Sequence, residues 1–132
     1  MEKVVLITGS SKGIGKATAI EFAKIGGYKV VINYLTDKEN AEKLSNYLKE
    51  KYKIETLVIK TDISNEEQVK NMIQEVINKF GRIDVLVNNA GIAIDKEFED
   101  RTVEDWKRTL EVNTIGTFLV SKYASENMLK NK

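Results

Sequence analysis

Four short, almost continuous apolar runs occur along the chain, each bounded by polar or glycine-containing segments. They lie at residues 3–7, 29–33, 56–60 and 83–87. Unbroken apolarity over about five residues is typical of strands that are buried on both faces of a sheet. The pattern therefore predicts four strands in a sheet that is covered on both sides.

Between these runs, apolar residues recur every three or four positions, which predicts amphipathic helices. The first helix is expected over residues 14–25 and the second over 37–52. The third is expected to begin after Ser64 as its N-cap, with acidic residues in its first turn, and to end at Gly81. A fourth, longer helix should run from Thr102 towards Leu129.

Alternating strands and helices predict an α/β fold with a doubly wound, parallel, Rossmann-like sheet. With right-handed crossovers, the second and third strands are added on one side of the first strand, and the fourth strand is added on its other side. This gives the spatial order 3-2-1-4. A chain of 132 residues fits one domain, and we find no internal repeat, linker or proline. We expect residues 1–132 to form a single dinucleotide-binding domain.

The composition limits the function classes. Hydrophobic residues make up 42% of the chain and charged residues 31%, with a net charge of +1, so neither disorder nor attraction to nucleic acid or anionic membranes is indicated. Cysteine and histidine are absent, which excludes disulfides, histidine triads and histidine metal sites, and we predict no metal site. No segment resembles a signal peptide or membrane span, so we expect a cytoplasmic protein.

The segment Thr-Gly-Ser-Ser-Lys-Gly-Ile-Gly at residues 8–15 follows the first predicted strand and opens the first helix. Backbone N–H groups at such a helix N-terminus can bind a phosphate. Gly9 suits a sharp turn, Gly13 allows a pyrophosphate to approach, and Gly15 allows close helix packing. Ser11, Lys12 and Ile14 lie between these glycines as further candidate contacts. The alternative is a strand-to-helix loop without a ligand.

A P-loop is excluded as the source of this glycine pattern. Ser10 stands where that motif needs its first glycine, and Ala17 where it needs the hydroxyl that binds magnesium. The spacing T-G-x-x-x-G-x-G instead resembles the short-chain dehydrogenase/reductase family. Three later segments strengthen the resemblance in the order that the family has them: residues 62–63, residues 88–91 and residues 105–113.

The resemblance implies a role for each of these segments. Asp62 and Ile63 would contact the adenine end of a cofactor, although Asp62 could also be a turn or capping residue. Asn88 would tie neighbouring strands together through its amide. Asn113 would help to relay protons, the alternative being an exposed helix residue. The remaining implied cofactor contacts follow Asn88 and face the crevice at the strand ends: Asn89, Ala90 and Gly91.

The charge of the residue at the end of the second strand indicates which nicotinamide cofactor binds. Sites for NAD carry an acidic residue about 20 positions after the glycine turn, where this chain has Asn33. Asn33 does not repel a 2′-phosphate, and Lys12 supplies a positive charge nearby. We therefore predict NADP(H). Asp37, the nearest carboxylate, is expected to cap the next helix.

The resemblance implies an oxidoreductase that interconverts a carbonyl and an alcohol, closest to the 3-oxoacyl-[acyl-carrier-protein] reductases. Its substrate would be a small or acyl-carrier-bound carbonyl compound. The family's catalytic Ser and Tyr-x-x-x-Lys follow the long helix, so we expect this chain to be truncated before the fifth strand and inactive alone. The Tyr-x-x-x-Lys matches at Tyr34 and Tyr47 precede the fourth strand and are interpreted as chance. The alternative is a non-catalytic nucleotide-binding or assembly module.

The same truncation would leave apolar surface uncovered. Residues 84–87 would form an exposed sheet edge, and exposed edges and apolar patches favour association. Phe118, Leu119 and Met128 should be partly uncovered, while Trp106 and Leu110 are expected in the core or in an interface. We therefore expect a homo-oligomer, or else poor solubility.

Overall fold

The computed structural model describes residues 1–131, and Lys132, the last residue of the predicted domain, lies outside them. Four parallel strands form one sheet in the order β3-β2-β1-β4, which confirms the predicted topology. The strands are β1 (Lys3–Ile7), β2 (Tyr28–Tyr34), β3 (Thr56–Lys60) and β4 (Val85–Val87). The α-helices are α1 (Gly13–Ile25), α2 (Lys38–Tyr52), α3 (Glu66–Phe80), α4 (Val103–Leu110) and α5 (Thr117–Lys130).

Each face of the sheet has its own apolar core. Val5 and Ile7 of β1 pack with α1 and α2, whereas Val4 and Leu6 pack with α3 and α5. All four side chains are at most 1% exposed. Successive strand residues point to opposite faces, so a strand buried on both sides needs an unbroken apolar run. This explains why the strands have no alternating pattern in the sequence.

The third helix begins one residue later than predicted. Asn65, not Ser64, is its N-cap, and the Asn65 side chain accepts a hydrogen bond from the Gln68 N–H. The Ser64 hydroxyl instead donates to Asp62 at 2.6 Å. A hydroxyl that is bonded to the preceding loop is not available to cap the helix that follows.

The predicted long helix is not uniform. Thr102 caps it through a reciprocal capping box with Asp105, as expected of its N-terminus. Between α4 and α5, however, residues Glu111–Gly116 form a π-helical turn. Gly116 lies in this turn, and a Cβ atom there would be 2.8 Å from the Ile63 side chain. The turn therefore packs closely on the loop that follows β3.

Several apolar side chains on this helical segment are exposed. β4 is an edge strand, and Phe118 is 60% exposed, both as predicted. Leu119 is only 4% exposed, so the expectation that it is partly uncovered is wrong. Trp106 and Leu110 are 59% and 51% exposed and are not in the core.

Within residues 1–131, no helix combines the length and apolarity needed to cross a membrane.

Candidate functional site

A cavity of about 420 Å³ lies at the carboxyl ends of the strands. In doubly wound sheets, ligands bind in this crevice, where the strand order reverses. Nine predicted contacts line it: Gly9, Ser11, Lys12, Asn33, Asp62, Ile63, Asn89, Ala90 and Gly91. The other three, Gly13, Ile14 and Gly15, lie outside this lining in the first turn of α1.

The three glycines have different local roles. Gly9 has a φ of +60°, and a Cβ atom there would lie 2.8 Å from the Ala90 Cα. Gly13 also has a φ of +60°, but an added Cβ would meet no atom within 4 Å. At Gly15 a Cβ would lie 2.5 Å from the Asn89 amide nitrogen and 2.7 Å from the Gly9 carbonyl oxygen. Gly9 and Gly15 thus permit close packing, while Gly13 borders open space.

The N-terminus of α1 is arranged to accept an anion. Lys12 is its N-cap and makes no side-chain capping hydrogen bond, and the first turn contains no acidic residue. The first N–H groups of a helix have no partner within the helix, and they carry the positive end of its dipole. A phosphate placed over Gly13 would supply the missing acceptor.

The Asn33 side chain is hydrogen-bonded to the glycine turn. The residue is 2% exposed, its Oδ1 accepts a hydrogen bond from the Gly9 N–H at 2.9 Å, and its Nδ2 donates to the Ile59 carbonyl at 3.4 Å. Its backbone N–H also donates to the Ser10 hydroxyl at 3.1 Å. Asn33 lines the cavity, but its side-chain amide is bonded to the protein's own backbone. A contact between Asn33 and the cofactor stays a prediction.

Asp37 caps α2, as predicted, and also lines the cavity. The side-chain amide of Asn40 donates to Asp37 at 2.8 Å, and its backbone N–H donates at 3.3 Å. These bonds hold the pKa of Asp37 below its ordinary value, with a smaller contribution from the positive charge of Lys12. The cavity therefore contains both signs of charge near the end of β2.

Asn89 and Thr8 connect the ends of β4 and β1. The Asn89 side chain donates to the Thr8 and Gly9 carbonyls at 3.1 and 2.9 Å, and the Thr8 hydroxyl accepts from the Asn89 and Ala90 N–H groups, both at 3.0 Å. Asn88 instead donates to the Ser121 hydroxyl of α5 at 2.9 Å. Asn88 thus has the structural role predicted for it, but its partner is α5, and the contact between the ends of neighbouring strands belongs to Asn89.

Asp62 forms a turn, which is one of the two roles weighed from the sequence, and it also lines the cavity. Its contact with the adenine of a cofactor stays a prediction. Its Oδ1 accepts from the Ser64 N–H and hydroxyl, and its Oδ2 accepts from Arg108 at 3.3 Å. Burial opposes its ionisation, but the Ser64 hydrogen bonds and the Arg108 charge outweigh burial and hold the pKa of Asp62 below its usual value. Asp62 is therefore an ionised acceptor at neutral pH.

Asn113 lies in the π-helical turn and is exposed. Its Oδ1 accepts from the Ile92 N–H at 2.8 Å, and its Nδ2 donates to the Ile92 carbonyl at 2.9 Å. This paired contact fixes the loop that follows β4. π-helical turns inside helices are frequent at functional sites. A role in proton relay stays a prediction.

Sequence reasoning missed several lining residues: Tyr34, Leu35, Thr36, Ile92, Arg108 and Val112. The first three follow directly after Asn33, so continuing past the predicted strand end would have included them. Val112 is the neighbour of Asn113. Arg108 had no signal in the sequence, because it reaches Asp62 across 46 positions.

The profile of the short chain dehydrogenase family matches residues 3–132. This match covers nearly the whole chain and agrees with the parallel sheet and the glycine turn. The chain belongs to the short chain dehydrogenase family.

Relatives within this family include reductases. The chain is 40% identical over 135 residues to a 3-oxoacyl-[acyl-carrier-protein] reductase of Synechocystis, covering 98% of this chain and 52% of the relative. It is 38% identical over 128 residues to an uncharacterized oxidoreductase of Thermotoga maritima, covering 97% and 49%. It is 36% identical over 132 residues to the 3-oxoacyl-[acyl-carrier-protein] reductase FabG of Staphylococcus aureus, covering 100% and 53%.

Solved structures of the family share the fold. A short chain dehydrogenase from Burkholderia cenocepacia in complex with NADP has a TM-score of 0.89 at 33% identity, covering 96% of this chain and 51% of that one. A variant of a Serratia marcescens short-chain dehydrogenase/reductase has a TM-score of 0.88 at 29% identity, covering 96% and 51%. The chain spans about half the length of the relatives that it matches.

Proposed function

We propose that this short chain dehydrogenase binds NADP(H) and forms the cofactor-binding part of an oxidoreductase that interconverts a carbonyl and an alcohol. The observation that carries the proposal is the first turn of α1, where unpaired N–H groups border the open space over Gly13. The similarity to 3-oxoacyl-[acyl-carrier-protein] reductases and to a dehydrogenase solved with NADP supports it.

The residues present fit the parts of such a cofactor. A pyrophosphate needs N–H donors and a surface without side-chain bulk, and Gly13 offers both at the helix N-terminus. Ser11 and Lys12, which directly precede Gly13, line the cavity. Asp62 and Ile63 would receive the adenine, and the segment Asn89-Ala90-Gly91 forms the wall on the β4 side.

We propose NADP(H) over NAD(H) on the charges near the end of β2. The ammonium group of Lys12 can pair with a 2′-phosphate, and Asn33 brings no carboxylate to this strand end. Asp37 opposes the phosphate, but its carboxylate is bonded to Asn40 and to the start of α2. Lys12 has no such bond in the described structure, so its charge is available to the ligand.

When bound, NADPH supplies a hydride for carbonyl reduction. The residues of this chain contribute binding and orientation. Asn113, through its double contact with Ile92, keeps the loop after β4 in place beside the cavity. We propose that this same amide lies on the proton route to the substrate oxygen, as the family resemblance implies. The substrate proposed is a small or acyl-carrier-bound carbonyl compound.

Calorimetry with 2′,5′-ADP and 5′-AMP tests the cofactor assignment. We expect 2′,5′-ADP to bind about tenfold more tightly, because one charge-assisted contact is worth about 1.5 kcal/mol or more. Lys12→Met should remove most of this difference. Lys16→Met is the matched control, since Lys16 is an exposed lysine one turn along α1 that does not line the cavity.

Equal affinities for the two nucleotides would contradict the NADP(H) assignment. Failure to bind either nucleotide would contradict the nucleotide site as a whole. A loss of preference in the Lys16→Met variant, equal to that in Lys12→Met, would show that general positive charge and not the position of Lys12 is responsible.

We also propose a homo-oligomer in the cytoplasm. Trp106, Leu110 and Phe118 expose large apolar side chains on α4 and α5, and such patches favour association. A second copy of the chain offers the same apolar surface in return. The location is proposed because NADPH is an intracellular reductant.

A further inference from the structure

A second cavity, of about 340 Å³, lies between helices α1 and α2 and shares no lining residue with the nucleotide cavity. We call it the α1–α2 groove. Its lining residues are Lys16 and Ile20 of α1 and Asn40, Lys43, Leu44 and Tyr47 of α2. The α2 members are three, four and seven positions apart, so they share one face of that helix. A groove of this volume can hold a small molecule.

The charged side chains that line the α1–α2 groove are both positive. Lys16 lies on the α1 side and Lys43 on the α2 side, and no carboxylate of residues 1–131 lines the groove. Glu42, on the same part of α2, instead lines a different cavity next to β3. The groove therefore offers two ammonium groups to a ligand and no carboxylate that would repel an anion.

One of these lysines has an ion-pair partner within its own helix. Lys43 lies 2.9 Å from Glu39, and the two side chains are 69% and 79% exposed. Pairs with this exposure contribute little to stability, because water and salt screen them. Lys43 can therefore exchange Glu39 for an anion in the groove at a small cost.

The rest of the lining is largely apolar. Leu44 is 2% exposed and belongs to the core on this face of the sheet, and Ile20 packs against the same core from α1. The Tyr47 side chain is 40% exposed and lies at the end of the lining away from Asn40. Residues seven positions apart on a helix are separated by about 10 Å. This length suits an extended chain of about eight carbon atoms.

The Tyr-x-x-x-Lys match at residues 47–51 lies at this end of the groove. The Lys51 Nζ is 5.5 Å from the centre of the Tyr47 ring, and the Tyr52 ring is 6.1 Å from it. Lys51 is the main cause that holds the pKa of the Tyr47 hydroxyl below its ordinary value, and Tyr52 adds to the effect. A more acidic hydroxyl is a better hydrogen-bond donor to an anion. Tyr47 thus adds a third donor to the two ammonium groups.

We propose that the α1–α2 groove binds a small organic anion that carries an apolar chain. The two lysines and the Tyr47 hydroxyl hold the anionic group, and Ile20 and Leu44 contact the chain. An inorganic anion would gain nothing from the apolar residues, and a neutral apolar molecule would leave the ammonium groups without a partner. The site is separate from the proposed nucleotide site and does not depend on it.

Calorimetry on the 132-residue chain tests the ligand class with three probes. Octanoate has both the charge and the chain, octanamide has the chain alone, and acetate has the charge with almost no chain. Octanoate should bind about tenfold more tightly than octanamide, which is the value of one charge-assisted contact. It should also bind about tenfold or more tightly than acetate, because burial of two methylene groups already gives this factor.

Variants of the lining residues test the position of the ligand. Lys16→Met and Lys43→Met should each weaken octanoate binding about fivefold and leave octanamide binding unchanged, and Tyr47→Phe should weaken octanoate binding about threefold. Lys49→Met is the matched control, because Lys49 is an exposed lysine of α2 that lines the cavity next to β3 instead. It should bind octanoate like the unmodified chain. Circular dichroism checks that each variant is folded.

The inference is overturned if octanoate does not bind, or binds no more tightly than octanamide. An equal loss of octanoate affinity in Lys49→Met would show that general positive charge is responsible, and this too would overturn it. Lys12→Met, which alters the nucleotide cavity, should leave octanoate binding unchanged; a loss equal to that of Lys16→Met would place the ligand in that cavity and refute the separate site. None of these results bears on the nucleotide assignment, which the comparison of 2′,5′-ADP with 5′-AMP tests.

Discussion

Replacing Asn33 with Asp is the change that sequence reasoning suggests for converting an NADP site into an NAD site. The structure predicts a different outcome. The Asn33 amide group donates to the Ile59 carbonyl at 3.4 Å, and the residue is 2% exposed. Asn33→Asp places a carboxylate oxygen against that carbonyl oxygen. The substitution should therefore destabilise the fold and leave the ribose site without a new acceptor.

The size of the effect follows from the pKa of the introduced carboxyl. Burial and the Ile59 carbonyl raise this pKa, and the Gly9 N–H, which donates to the other oxygen at 2.9 Å, offsets part of the rise. A raised folded pKa lowers stability as pH increases above the unfolded value of about 3.9, by about 1.4 kcal/mol per pH unit. We expect a loss of about 1 kcal/mol at pH 4.5 and about 3 to 4 kcal/mol at pH 7.

Urea unfolding followed by circular dichroism at these two pH values measures the effect. Asn46→Asp is the matched control, because Asn46 is an exposed amide on α2 and should show little pH-dependent loss. If Asn33→Asp were as stable relative to the unmodified chain at pH 7 as at pH 4.5, the inward orientation of Asn33 would be refuted. The same result would restore Asn33 as a residue that faces the ribose.

Three other predictions follow from the structure. Gly15→Ala should cost about 1 to 3 kcal/mol and weaken binding of 2′,5′-ADP, because the new Cβ would lie 2.5 Å from the Asn89 amide; unchanged urea unfolding would contradict this. The hydrogen bonds from Arg82 hold the pKa of Asp84 below its ordinary value, so stability should fall as pH drops below about 4, and Asp84→Asn should reduce that fall in acid titrations. Phe118→Lys should weaken self-association in sedimentation experiments, and a monomeric unmodified chain at high concentration would argue against the proposed oligomer.

The parts of the fold that could be predicted from the sequence are those with local signals. The apolar runs located all four strands, and the glycines located the turn before α1. The strand order followed from general rules of chain connection rather than from any residue. These signals need only neighbouring positions, so they are visible without the tertiary structure.

The errors arose at side chains that can form hydrogen bonds either with neighbours in the sequence or with residues far away in the sequence. Ser64 and Asn65 are both good N-caps, and the sequence does not show that the Ser64 hydroxyl is bonded to Asp62 and Arg108. Asn88 and Asn89 are adjacent amides at a strand end, and only the three-dimensional arrangement shows that Asn89 reaches Thr8 and Asn88 reaches α5. In each pair, the residue types show that the side chains can form hydrogen bonds, but they do not show which group each side chain is bonded to.

The hydrogen bonds at the strand ends also determine how a ligand can be recognised. Asn33 and Asn89 direct their side-chain amides to the backbone of the glycine turn. These amides are committed to the fold, so substituting them changes stability and binding together. We therefore expect discrimination between ligands to come from groups further out in the cavity lining, such as Lys12 and Asp62. Changes at these outer residues should alter ligand preference with a smaller loss of stability than changes at the two inner amides.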